Sequence, residues 1–90
     1  MATLIPATTT TEVTTIPTPK GLEEYQALVG GYIEVVTLPD GRALVLDEEG
    51  KLKGRPLNRR ATALWHEAAP YARRDVLVGD VVVCTPDEID

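Results

Sequence analysis

Apolar positions recur at helical spacing in two stretches and run strand-like in others. Leu22, Tyr25, Leu28 and Val29 form an i, i+3, i+6, i+7 stripe, the spacing of a helix that docks one face on a sheet. Pro19 suits the approach to a first turn, and Glu23 and Glu24 complement the positive helix start. Gly30 and Gly31 stop the helix by accepting positive φ. A helix this short does not persist alone, so a sheet must hold it. Residues 32–38 predict a strand and residues 42–47 its return. Between them Pro39-Asp40-Gly41 is a turn: Pro presets φ, Asp bonds its own backbone and Gly takes positive φ. The pair is therefore a β-hairpin. Asn58 is an N-cap for a second helix over about residues 59–67. Ala61, Leu64, Trp65 and Ala68 would face inward, and Pro70 ends the helix. Residues 76–84 are apolar on both sides, which predicts a last strand inside the sheet or covered on both faces. Gly79 within it marks a bulge or a close approach.

The first twenty residues are rich in Thr and Pro, with two β-prone pieces at residues 3–5 and 13–16. They read either as an edge strand or hairpin, where Thr is favoured, or as an N-terminal arm. The expected organisation is thus an arm or edge strand over 1–20, a single domain over 21–84 and an acidic tail over 85–90. The expected fold is α+β: a small, mostly antiparallel sheet of three to five strands with two short helices packed on one face. An exposed strand edge in so small a domain invites a homodimer.

Charge narrows the function classes. The chain carries a net charge of −5, which disfavours direct binding to nucleic acid or an anionic membrane. No apolar run approaches the length of a membrane helix, and the start lacks the basic-then-apolar order of a secretory signal. The single Cys84 cannot form an internal disulfide, which fits a reducing cytoplasm. Cys84 and His66 are the only nucleophile and base of the usual kind, and a buried thiol and a helix-end His account for them more simply. One His and one Cys do not make a zinc site. Asp47-Glu48-Glu49 reads as a solvated acidic turn, because adjacent carboxylates cannot all converge on a cation. No metal, cofactor or catalytic residue is expected, and the chain reads as a non-enzyme. Gly30-Gly31 lies between helix and strand, the reverse of a phosphate loop, so it reads as a helix cap. Glu34 lies mid-strand and reads as solvent-facing.

One constellation invites a ligand. Lys51, Lys53, Arg55, Arg59 and Arg60 fall within ten positions that contain no acid. Asn58 as N-cap leaves backbone N–H groups at a helix start, where anions bind. Arg59 and Arg60 are forked donors suited to phosphate, and Thr62 adds a hydroxyl. The candidate anion site is therefore Lys51, Lys53, Arg55, Asn58, Arg59, Arg60 and Thr62. The competing reading is a solvated loop whose cations pair with Asp47-Glu48-Glu49.

The runs Val29-Gly30-Gly31-Tyr32-Ile33-Glu34-Val35-Val36, Asp47-Glu48-Glu49-Gly50-Lys51-Leu52-Lys53-Gly54, Pro56-Leu57-Asn58 with Ala61-Thr62, and Val78-Gly79-Asp80-Val81-Val82-Val83 resemble a domain-of-unknown-function family. Its members are small proteins of bacteriophages, plasmids and Gram-positive, particularly actinobacterial, hosts. The resemblance covers about residues 22–83, and it departs from the usual pattern in the Thr-rich start and in residues 68–74. It implies a mobile-element accessory protein in the host cytoplasm and carries no catalytic residue. The expected function is non-enzymatic binding of a host factor by protein–protein contact. The alternative is sequestration of a small phosphate-bearing ligand, a nucleotide or nucleotide-derived signal, by the basic loop.

Overall fold

The structure, a computed structural model, describes residues 1–85. The acidic tail expected from residue 85 lies, from residue 86 onward, outside the described residues. The elements in chain order are β1 (Ala2–Ile5), β2 (Thr14–Ile16), α1 (Leu22–Val29), β3 (Ile33–Thr37), β4 (Ala43–Asp47), α2 (Arg59–Ala68), a 3₁₀ turn (Pro70–Ala72) and β5 (Val81–Cys84). The five strands form one sheet in the order β2-β1-β5-β4-β3, and every neighbouring pair is antiparallel. The α+β class and the antiparallel sheet are as the sequence predicts.

The local chemistry of the hairpin is as expected. Gly41 N–H donates to the Leu38 carbonyl at 2.9 Å, Gly41 has φ 93°, and Arg42 N–H is held by Asp40 Oδ1 at 3.0 Å. α1 ends at Gly30, whose φ of 84° lets its N–H return to the Gln26 carbonyl. Asn58 caps α2 by accepting the Ala61 N–H at 3.0 Å. The last strand is shorter than its apolar run. Gly79 has φ 76° and donates to the Pro56 carbonyl, so the ladder restarts only at Val81, and Val78 makes a lone bridge to Leu57.

The placement of the helices corrects the sequence expectation. They lie on opposite faces. Alternate residues of β4 and β5 belong to different clusters. Leu44, Leu46 and Val81 pack with Ile5, Leu38 and the α2 residues Ala61, Leu64, Trp65 and Ala68. Val45, Val82 and Cys84 pack with Ala2 and the α1 residues Tyr25, Leu28 and Val29. Because both faces of these central strands are apolar, each needs its own cover, and each helix supplies one. The first twenty residues contribute β1 and β2 to the same sheet, with β1 between β5 and β2.

Candidate functional site

The seven basic-loop candidates do not converge on one point. Lys53 and Arg55 turn inward to Asp47. Lys53 Nζ and Arg55 Nε donate to Asp47 Oδ2 at 2.9 and 2.7 Å. Arg55 Nη2 also donates to the Gly30 carbonyl at 2.9 Å, and Lys53 Nζ reaches it at 3.3 Å. Two cations thus sit at the carbonyl end of α1, where the helix dipole favours them. Lys51 pairs instead with Asp75, at 2.6 Å on the surface. Asn58 is fully buried, and its Nδ2 donates to the carbonyls of Ile5 and Gly79, both at 2.8 Å. Thr62 Oγ1 accepts the Leu77 N–H at 2.9 Å. Arg60 Nη2 donates to the carbonyls of Pro6 and Thr8 at 2.7 and 3.0 Å, tying down the start of the chain. Arg59 is exposed and has no side-chain partner among the described residues.

Asp47 corrects the reading of residues 47–49 as a solvated turn. Glu48 and Glu49 are exposed, but Asp47 is only 2% exposed. Burial pushes its carboxyl up. Hydrogen bonds from Lys53, Arg55 and the Glu49 N–H outweigh that and hold it at about 2. The same cluster accounts for the Gly30-Gly31 pair. A Cβ on Gly31 would lie 2.5 Å from Lys53 Nζ and 2.9 Å from Asp47 Oδ1, and one on Gly30 would lie 2.6 Å from Arg55 Nη2. The pair is both a helix cap and a space left for an internal ion cluster. No alternation in the sequence singles out Asp47, because residues 43–46 are apolar and buried at every position; the burial of Asp47 follows from its place at the end of that strand.

The other titratable candidates are apart. Cys84 is buried on the α1 face, with the Tyr25 hydroxyl 3.2 Å from its Sγ. His66, on α2 across the sheet, donates Nε2–H to the Asp75 carbonyl at 2.7 Å. They form no nucleophile–base pair. Among the described residues no three of His, Cys, Asp and Glu are grouped to hold a metal ion, and no helix is long and apolar enough to cross a membrane.

One of the concavities that the fold leaves open is mostly apolar. α1 is short and covers its face of the sheet only in part. Beside its first turn lies a groove of about 280 Å³, walled by Leu22, Tyr25, Ile33 and Val35 and floored by Val45 and Cys84. Leu22 is 56% exposed and Val35 50% exposed. Sequence reading placed Leu22 in the docked stripe; it sits instead on the groove's open lip.

The model of the family DUF3846, described as a domain of unknown function, matches residues 1–90, and the chain belongs to that family. No curated protein and no solved structure matches it.

Proposed function

We propose that this member of the DUF3846 family is a non-enzymatic accessory protein of a phage or other mobile element. It acts on a host factor in the cytoplasm by protein–protein contact, through the groove beside α1. One observation carries the reading. The polar groups that could recognise a small anion are mostly spent on the fold itself, while Leu22 and Val35 stand half open over an apolar groove. Lys53 and Arg55 already have a buried carboxylate as their anion, which favours the groove over the basic loop as the contact site. Apolar side chains that stand open around a shared concavity offer a partner a surface to bury. The mobile-element setting is supported by the sequence resemblance.

The test compares capture from host lysate by the wild-type chain and by Leu22→Asp and Arg59→Ala variants. Leu22 opens α1, where an acid is tolerated by the helix dipole, so the variant leaves the fold intact. The expected result is a polypeptide retained by the wild type and by Arg59→Ala and lost with Leu22→Asp. Equal retention by all three, or a bound nucleotide released by denaturing the wild-type protein, overturns the proposal.

A further inference from the structure

β3 is the outermost strand, and its hydrogen-bonding parity is set by its ends. Glu48 N–H donates to the Tyr32 carbonyl at 2.8 Å, and Leu38 N–H donates to the Arg42 carbonyl at 2.7 Å. In an antiparallel ladder hydrogen-bonded and open pairs alternate. With Ile33 opposite Asp47, Val35 opposite Val45 and Thr37 opposite Ala43, the even-numbered residues bond to β4. Ile33, Val35 and Thr37 therefore turn both their N–H and their C=O outward. The edge is only lightly guarded: its five residues contain no Pro, Lys or Gly, and the single charge, Glu34, lies on a residue whose N–H and C=O face β4. The opposite edge is treated differently, since β2 has three residues and Pro17 follows directly.

We propose that β3 pairs with β3 of a second copy of this chain, antiparallel, about a two-fold axis that passes through Val35. Val35 then opposes Val35 of the second copy, and Ile33 opposes its Thr37 in both directions. All three outward residues on each chain fall in hydrogen-bonded pairs. The neighbouring registers fail on named residues. An axis through Glu34 sets two carboxylates directly opposite each other, which is unfavourable. An axis through Val36 sets Ile33 against Pro39, which has no N–H to give. In the Val35 register Glu34 faces Val36 of the second copy, and no like charges are opposed. The half-exposed Val35 side chain is covered by its equivalent. The axis stands perpendicular to the sheet, so both α1 helices lie on one side of a continuous ten-stranded sheet and the two grooves adjoin. The pairing does not depend on any host partner.

The experiment is sedimentation velocity and native mass spectrometry over a concentration series on the wild type, Val35→Lys, Val35→Glu and an equimolar mixture of the two variants. The wild type should be a dimer. Each single variant should dissociate about tenfold or more readily, since like charges then meet on the axis. The mixture should recover a dimer with one chain of each kind. A monomeric wild type overturns the proposal, as does a Val35→Lys variant that dimerises as well as the wild type. A mixture no tighter than its parts overturns the placement of Val35 on the axis. Amide exchange on the wild type is an independent check that needs no variant. The amides of Ile33, Val35 and Thr37 should become protected as concentration rises, and fast exchange at every concentration refutes the pairing.

Discussion

Asp47 carries two of the loop's cations on a single buried carboxylate oxygen. Its carboxyl lies at about 2 in the folded chain against about 3.8 for the unfolded chain. The unfolded state therefore takes up the proton first. The stabilisation is fully present above pH 3.8 and is lost as the pH falls toward 2, a change of about 2 kcal/mol. Asp47→Asn should abolish that slope in urea titrations between these limits. At neutral pH it should cost about 3 kcal/mol, because it leaves Lys53 and Arg55 facing a neutral amide. Asn58→Ala should cost a similar amount, about 3 kcal/mol, since it strands the Ala61 N–H and the carbonyls of Ile5 and Gly79 together; its midpoint in urea is the measurement. At this scale the sequence was half legible. Asn58 was recognised as a cap from its place before the helix. Its side chain's grip on Ile5 was not legible, because nothing local to residue 58 announces a partner 53 positions away.

At the scale of elements, α1 is the least secure piece. It is eight residues long, and its buried anchor is Val29. Its end depends on Gly30 at φ 84° with Arg55 close against it. Gly30→Ala should therefore destabilise by about 1 kcal/mol for the left-handed backbone alone, with more for the displaced Arg55, read as a lower melting temperature. The hairpin and both helices were legible because each is written in local spacing: a Pro-Asp-Gly turn, a helical stripe, a capping residue. The helices' assignment to opposite faces was legible only in part. The apolar run at residues 76–84 called for a place inside the sheet or cover on both faces, but which helix covers which side is a property of chain crossings rather than of spacing. β1 was the hardest strand to read, because four residues beside a Thr-rich stretch look like an edge until their pairing with β5 is known.

The molecule as a whole is stitched from its start to its later half. Asn58 holds Ile5, Arg60 holds Pro6 and Thr8, and Asp80 accepts the Ala7 N–H at 2.9 Å. Deleting residues 1–16 removes both β1 and β2, bares the Val81–Cys84 strand as a new edge, takes both carbonyl partners from Arg60 Nη2 and one from Asn58, and removes the Ala7 N–H from Asp80. Such a chain should lose its cooperative thermal transition in circular dichroism.

The position of β1 also has a consequence for birth on the ribosome. β1 is synthesised well before β5, its inner neighbour, whose Val82 pairs with Leu4. Contacts of such long sequence separation are slow to close. The hairpins of β1 with β2 and of β3 with β4 can form while synthesis continues, but the inner edge of β1 must wait until residue 84 has cleared the exit tunnel. The β1–β5 seam is thus closed only when β5 arrives, and the four Thr in a row at residues 8–11 keep the connection between β1 and β2 polar meanwhile.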